Sequence, residues 1–335
     1  MKDWLSDEEF DQLFKEKSEE INEQLEREVL IALIGDVNAG KSSTINRLMG
    51  AEVAQVGAKP GETQEIKKFV FREKIIFVDT PGLDDIYSEH SAETMKFYKE
   101  ADVILFFLNA AGTVLSETEL ATLKKIAKVN KDIILVLNKI DAADDIPALV
   151  NYIKQHTDFD YVVTPISSRT GENIGLLQKE VLDILESKKK DILMAANMAD
   201  KSAVANRWIL GAGASAATIG AVPIPGSDFV PLTALQVSLM LKLSTLYGKP
   251  ISKDNAKELI IATIVGNIGK TVFRQIVKII PGAGMVAGAS VAGAMTIALG
   301  QAVKYAHENE IELTPNSLKP IYQRFLKRAK KKKSE

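Results

Sequence analysis

The chain has 335 residues, of which 46% are hydrophobic and 26% are charged, and its formal net charge is −2. This length suggests about two domains, and the composition is typical of a globular protein rather than a disordered or fibrous one. The absence of cysteine excludes disulfides, thiolate catalysis and cysteine-ligated zinc, and three scattered histidines, His90, His156 and His307, argue against a histidine-rich metal site.

The first predicted element is an amphipathic N-terminal helix within residues 1–28. Ser6 and Glu9 form the pattern of a capping box, which pairs the first residues of a helix with its own backbone. Apolar residues then recur at helical spacing, namely Phe10, Leu13, Phe14, Ile21 and Leu25. This stripe needs a partner, which is either a later helical region of the same chain or a second copy. No apolar signal-peptide core is present at the start, so we expect a protein that is not secreted.

Residues 29–190 alternate short apolar runs with amphipathic stretches. The runs predict strands at 29–34, 65–71, 75–79, 102–109, 133–138 and 161–166. The stretches between them predict helices at 41–49, 92–99, 116–129, 145–156 and 173–190. Nearly continuous apolar strands that alternate with helices indicate an α/β sheet covered on both faces.

A phosphate-binding loop, GDVNAGKS at residues 35–42, directly follows the first strand and opens the first helix of this region. Its glycines let backbone N–H groups close around phosphate oxygens, and the helix N-terminus adds partial positive charge. Lys41 is expected to reach the β- and γ-phosphates, and Ser42 to bind Mg²⁺. The residues predicted to contact the nucleotide here are Asp36, Val37, Asn38, Ala39, Gly40, Lys41, Ser42 and Ser43.

The end of the third strand carries DTPG at residues 79–82. A carboxylate at this edge of the sheet, from Asp79, suits a Mg²⁺-bound water, and the backbone N–H of Gly82 is placed to sense a γ-phosphate. Thr63, in a polar loop, is placed to complete the Mg²⁺ shell once GTP is bound, although a plain loop threonine is an alternative interpretation. We therefore expect Lys41, Thr63 and Gly82 to act on the transferred phosphate.

The motif NKID at residues 138–141 ends the fifth strand and predicts guanine recognition. Guanine offers two adjacent donors, N1–H and N2–H₂, and the carboxylate of Asp141 can accept both, whereas adenine lacks that pair. Asn138 is expected to tie this loop to the phosphate loop, and the stem of Lys139 to cover the base. Ser167, Ser168 and Arg169 end the last strand, where a backbone N–H can meet guanine O6.

Together, GDVNAGKS, Thr63, DTPG, NKID and SSR resemble the Era/TrmE-like GTPases of the translation-factor-related class, over about residues 29–190. The resemblance implies a P-loop G domain with a mixed six-stranded sheet whose second strand is antiparallel, and GTP, GDP and Mg²⁺ as its ligands. Leu83 stands where Ras-like GTPases carry a water-orienting glutamine, so the chain resembles the hydrophobic-substituted group. Asn38 matches a loop asparagine that ligates an activating K⁺ ion in relatives, and a plain turn-forming role is the alternative.

After about residue 195 the strand pattern stops, and residues 191–315 predict an all-helical domain rich in Ala and Gly. A weak repeat places IPG at 224–226 and again at 280–282, each reading as a sharp bend between two helices. VPIPGSDFVPLTALQ and IIPGAGMV resemble the YcjF-like domain of unknown function, which often follows such G domains in bacteria. Residues 316–335 carry 8 basic residues and 1 acidic residue, a basic tail that contrasts with 11 acidic and 4 basic residues in 1–28.

Two uncharged stretches, 208–227 and 279–303, are long enough to span a membrane, but they are rich in Ala and Gly and cut by prolines. Inserted helices and the buried helices of a soluble bundle both explain them. The first functional hypothesis is a membrane-associated GTPase at the cytoplasmic face of a bacterial inner membrane, with a lipid or membrane-protein partner. The alternatives are a soluble Era-like GTPase that assembles with ribosomes or RNA, and a dynamin-like or immunity-related remodelling GTPase. A homodimer of G domains is a further expected partner, and nucleic acid is a less favoured one.

Overall fold

The computed structural model describes residues 5–53, 67–79, 91–220, 229–261 and 284–331. The chain divides into two compact units. We call Gln24–Asp200 the sheet unit, and Met1–Glu23 together with Lys201–Glu335 the helical unit.

The sheet unit contains a six-stranded sheet in the order β2-β3-β1-β4-β5-β6. Its strands are β1 (Val29–Ile34), β2 (Lys67–Phe71), β3 (Ile75–Asp79), β4 (Val103–Asn109), β5 (Ile133–Asn138) and β6 (Val162–Pro165). β2 is antiparallel to β3, and all other neighbouring strands are parallel. The mixed sheet with its antiparallel second strand is therefore confirmed.

The central strands are buried on both faces, which is why their sequences are apolar without alternation. Every residue from Val103 to Leu108 in β4 is buried, and so is the whole of β5. The helices of this unit are α2 (Lys41–Met49), α3 (Ser91–Glu100), α4 (Glu117–Ile126), α5 (Ile146–His156), α6 (Ile174–Ser187) and α7 (Asp191–Asn197). In the predicted helix 116–129, Ser116 is the N-cap and forms a reciprocal capping box with Glu119, so α4 begins one residue later, and it ends at Ile126, three residues before the predicted end.

The helical unit contains α1 (Asp7–Glu26) as far as Glu23. Its other helices are α8 (Lys201–Ile219), α9 (Phe229–Tyr247), α10 (Lys253–Ile260), α11 (Gly284–Glu308) and α12 (Pro315–Lys331). No strand occurs in the described part of this unit, in agreement with the sequence-based expectation. Both IPG bends lie outside the described residues.

The N-terminal helix α1 packs against α10 within the helical unit. Phe10 is 1% exposed, and the ammonium group of Lys257 lies 5.7 Å from the centre of its ring. Asp11 pairs with Lys253 at 2.7 Å, and Asp7 pairs with Lys257. Of the two partners considered for the apolar stripe, a helical region of the same chain is therefore confirmed.

Helices α8 and α11 approach each other closely through glycine. A Cβ at Gly293 would lie 2.9 Å from the backbone oxygen of Gly213, and a Cβ at Gly213 would lie 2.3 Å from Ile297 Cγ1. Ala216, Leu232 and Ala292 form a small apolar cluster contributed by α8, α9 and α11. Small residues thus let three helices of this unit share one core.

One helix among the described residues is long and apolar enough to cross a membrane by length and composition. It is α9, over Val230–Tyr247, and 56% of this stretch is buried inside the protein. The core helix of a soluble protein meets the same criteria. The stretches 208–227 and 279–303 extend beyond the described residues.

Candidate functional site

The site lies at the carboxyl edge of the sheet, where β1, β3, β5 and β6 end. The parallel strands bring the ends of β1, β3 and β5 to one side, so their following loops share one edge. Ligands of open α/β sheets bind in the crevice outside these strand ends. The sheet topology therefore assembles motifs that are separated by more than a hundred residues in the chain.

The phosphate loop has a backbone that only glycine can form at its last turn. Gly40 has φ 90°, and a Cβ at this position would lie 2.1 Å from Nδ2 of Asn138. Asn38 also has a positive φ, 66°, a conformation that asparagine tolerates better than most residues. The loop leads directly into α2, which begins at Lys41.

The Lys41 ammonium group points into this loop. Its Nζ donates to the backbone oxygens of Gly35 at 2.7 Å and of Asp36 at 3.2 Å, and it lies 3.5 Å from Oδ1 of Asp79. Lys41 is 9% exposed, so its charge is enclosed by the loop carbonyls and by one carboxylate. A bound phosphate would offer this ammonium stronger, charged acceptors than the two carbonyls.

Asn138 connects the phosphate loop to the loop after β6. It is fully buried, and its Nδ2 donates to the backbone oxygen of Ala39 at 2.8 Å and to Oγ of Ser168 at 3.2 Å. Its Oδ1 accepts from the backbone N–H groups of Lys139 at 2.8 Å and Ser168 at 3.0 Å. The predicted tie between the two loops is present, and it extends to a third loop.

Asp141 is presented at the edge of this network by a left-handed turn at Lys139, which has φ 65°. Its Oδ1 accepts from Oγ of Ser167 at 2.5 Å, and its Oδ2 pairs with the guanidinium of Arg169 at 2.6 Å. The Ser167 hydrogen bond, followed by the nearby charges of Arg169 and Lys139, lowers the pKa of the Asp141 carboxyl from its usual value of 3.8. Asp141 is therefore a carboxylate at neutral pH, able to accept two N–H donors.

Oxygen groups for Mg²⁺ stand beside the phosphate loop. Ser42 is the second residue of α2, and Asp79 ends β3 beside Lys41. Such hard oxygen groups fit Mg²⁺, which in phosphate sites takes one or two protein oxygens and completes its shell with phosphate and water. Within the described ranges there is no cluster of three or more His, Cys, Asp or Glu side chains, and a nucleotide-bound Mg²⁺ does not need one. Thr63, Gly82 and Leu83 lie outside the described residues.

The side chains of two arginines contact the site in ways that the sequence did not predict, although Arg169 belongs to the SSR motif. Arg169 pairs with Asp141, and Arg47 in α2 donates to two carbonyl oxygens of the loop after β6. A single exposed arginine in an amphipathic helix gives no periodic signal, so Arg47 could not be found from the sequence. The hydroxyl group of Ser167 donates to Asp141, and its contact with nucleotide stays a prediction.

Comparison with known proteins points to GTPases. A family model described as a 50S ribosome-binding GTPase matches residues 30–139. GTPase Era of Aquifex aeolicus is 33% identical over 169 residues, which cover 46% of this chain and 56% of that protein. GTPase Der of Nautilia profundicola is 29% identical over 170 residues, which cover 48% of this chain and 36% of that protein.

Among solved structures, an Aquifex aeolicus Era variant bound to GDP·AlF₄⁻ aligns with 29% identity and a TM-score of 0.39, over 47% of this chain and 57% of that one. The G domain of the T. maritima FeoB iron transporter aligns with 29% identity and a TM-score of 0.35, over 47% and 99%. The chain spans about half or less of the length of the Era and Der relatives. The resemblance of residues 200–305 to the YcjF-like domain stays a prediction.

Proposed function

We propose that this chain binds GTP and hydrolyses it to GDP and phosphate, acting as a Mg²⁺-dependent switch. The observation that carries the proposal is the buried Asn138, which joins a phosphate-binding loop to a base-recognition loop in which Asp141 is held as a carboxylate. The matched GTPase family model and the Era and Der relatives support the same activity.

The chemistry follows from what each side chain offers. Lys41 exchanges its two loop carbonyls for β- and γ-phosphate oxygens and neutralises the charge that develops during phosphoryl transfer. Ser42, Asp79 and Thr63 would hold Mg²⁺, which supplies further charge neutralisation. The backbone N–H of Gly82 would mark the presence of the γ-phosphate. Because Leu83 cannot orient water, basal turnover is expected to be slow, and K⁺ activation through Asn38 is part of the proposal.

Base recognition gives the sharpest test of the proposal. Asp141→Asn replaces one acceptor with a donor that opposes the N–H groups of guanine but suits the extra oxygen of xanthine. We expect GDP affinity to fall by about two orders of magnitude and XDP affinity to rise, as measured by calorimetric titration. The matched control, Asp144→Asn, removes an exposed acid three residues away and should leave both affinities unchanged. Equal GDP binding by Asp141→Asn and the wild type would refute the assignment of this loop.

For the cellular role, we propose a membrane-associated regulatory GTPase at the cytoplasmic face of a bacterial inner membrane. The apolar stretch Val230–Tyr247 in α9 and the uncharged stretches 208–227 and 279–303 support this role. The helical unit would then serve as anchor or effector module, with a lipid or a membrane protein as its partner.

A second candidate role is assembly with ribosomes or RNA. It is favoured by the description of the matched family model as a 50S ribosome-binding GTPase. The basic residues of 316–335 would then contact phosphates of the nucleic acid, and binding would weaken steeply with salt.

A further inference from the structure

Arg47 forms a second bridge between the phosphate-loop helix and the loop after β6. Its Nε donates to the backbone oxygen of Ser168 at 3.1 Å, and its Nη2 donates to the backbone oxygen of Arg169 at 2.7 Å. Two neighbouring donors of one planar guanidinium thus hold two successive carbonyls, a fork geometry that an ammonium group cannot reproduce. Arg47 lies in the last turn of α2, whose first turn carries Lys41.

Three backbone N–H groups of the loop after β6 already have acceptors within the protein. Ser168 N–H donates to Asn138 Oδ1, Thr170 N–H to Ser167 Oγ, and Gly171 N–H to the backbone oxygen of Ser167. In the same stretch of the described chain, the N–H of Arg169 has no protein acceptor. In this turn, the Arg169 N–H is therefore the group that can donate a hydrogen bond to a bound ligand.

The Arg169 N–H belongs to the same peptide unit as the Ser168 carbonyl that Arg47 holds. A trans peptide is planar, and its C=O and N–H point in opposite directions, so fixing the oxygen also fixes the direction of the hydrogen. The N–H consequently points away from Arg47. The cationic donor also polarises the carbonyl, which makes the N–H of the same peptide a stronger donor.

We propose that Arg47 is a positioning residue for guanine recognition, which orients the peptide between Ser168 and Arg169 so that the Arg169 N–H meets guanine O6. Arg47 acts through this peptide and does not touch the nucleotide. The inference rests on the proposed function and adds the group that sets the O6 contact, whereas Asp141 reads N1–H and N2–H₂.

Three nucleotides separate an O6 effect from a general loss of structure. GDP offers O6 and both donors, IDP keeps O6 but lacks the 2-amino group, and 6-thio-GDP keeps both donors but carries a weakly accepting sulfur. Affinities are measured by calorimetric titration for the wild type, Arg47→Ala, Arg47→Lys and the control Lys128→Ala. Lys128 is exposed and follows α4 at the opposite edge of the sheet, so its removal changes the net charge equally.

We expect Arg47→Ala to weaken GDP and IDP alike by about three- to tenfold, the range of one net hydrogen bond, with less than about a twofold change for 6-thio-GDP. Arg47→Lys should recover part of the loss, and Lys128→Ala should change nothing. In GTP hydrolysis assays of Arg47→Ala, we expect KM for GTP to rise. The value of kcat, which is reached at saturating GTP, should stay unchanged.

Equal losses for all three nucleotides would show a merely structural role and overturn the inference, as would unchanged GDP affinity. If Arg47→Ala does not fold, as judged by its thermal transition, the GDP to 6-thio-GDP affinity ratio of Arg47→Lys decides, and a wild-type ratio there overturns the inference. A wild-type chain that binds none of the three nucleotides refutes the proposed function itself, and this inference falls with it.

Discussion

At the residue scale, the tightest constraint in the site is the approach of Gly40 to Asn138. A methyl group at Gly40 would overlap Nδ2 of Asn138, the atom that donates to the oxygens of Ala39 and Ser168. The positive φ of 90° adds strain for any residue with a Cβ. The geometry of the site therefore requires glycine at position 40.

We expect Gly40→Ala to displace Asn138 and to lower GDP affinity by tenfold or more, since about 1.4 kcal/mol already corresponds to a factor of ten. Gly175→Ala is the matched control, because a Cβ at this position in α6 meets no atom within 4 Å. Titration with a fluorescent GDP analogue measures both variants. A Gly40→Ala protein that binds GDP like the wild type would contradict the close approach of Gly40 to Asn138.

Still at this scale, the sequence predicts the roles of Asn138 and Asp141 but not that of Arg47. NKID occurs at a strand end in a fixed motif order, so its place in the site follows from topology. Arg47 acts through backbone carbonyls more than a hundred residues away, and no local pattern encodes such a contact.

At the element scale, the sequence likewise does not predict where some helices begin and end. The predicted helix 173–190 ends at Ser187, because Lys189 adopts a left-handed φ of 55° and Lys190 then pairs with Asp102 at 2.7 Å. Residues 316–335 are predicted to be a basic tail, whereas α12 runs through them as far as Lys331 and buries residues at helical spacing, namely Leu318, Tyr322 and Leu326. The dense positive charge concealed this periodicity.

Helix α8 offers a paired test of the glycine contact with α11. Gly213→Ala would place a Cβ 2.3 Å from Ile297 Cγ1, so we expect a loss of about 1–3 kcal/mol in the free energy of unfolding. Gly211→Ala, two residues earlier on the same helix, meets no atom within 4 Å and should gain about 0.5–1 kcal/mol from helix propensity. Urea denaturation followed by circular dichroism measures both. Similar effects of the two substitutions would argue against close packing of α8 and α11.

The buried His307 on α11 predicts a pH dependence of the helical unit. Its ring contacts Ser244 Oγ at 3.3 Å and stacks on the ring of Tyr247. Lys249 donates to the backbone oxygen of His307. Lys304 and Glu308 are the charged neighbours on its own helix. Burial, and to a smaller extent the charge of Lys249, lowers the pKa of His307 from 6.5 to about 4. Because the unfolded chain takes up this proton first, the stability is complete above pH 6.5 and falls as the pH drops towards about 4.

We expect His307→Gln to remove this contribution, on the order of 1 kcal/mol, because glutamine does not titrate. Urea denaturation at about pH 7 and about pH 5 gives the difference for both proteins. If the wild type and His307→Gln lose the same stability between these two conditions, His307 is not the titrating group.

At the scale of the whole molecule, the proposed association of the helical unit with lipid predicts how the protein fractionates. Hydrophobic insertion is not screened by ions, whereas attraction between basic residues and anionic lipid is. If the unit inserts, the protein should stay in the membrane pellet after washes at high salt and alkaline pH, and detergent should release it. Deletion of residues 327–335 should then change little.

A surface substitution tests which face is involved without disturbing the core. Leu210 lies in the uncharged stretch 208–227, and its 60% exposure means that a charge there does not have to be buried for the unit to fold. In lipid, Leu210→Asp should cost about 3 kcal/mol and shift the protein to the soluble fraction. The control Leu176→Asp changes an exposed leucine of the sheet unit and should leave pelleting unchanged.

Purification of the wild type from the cytosol without detergent, as a monodisperse species, would refute the membrane proposal. It would leave the GTPase proposal intact, because the nucleotide site is built entirely from the sheet unit.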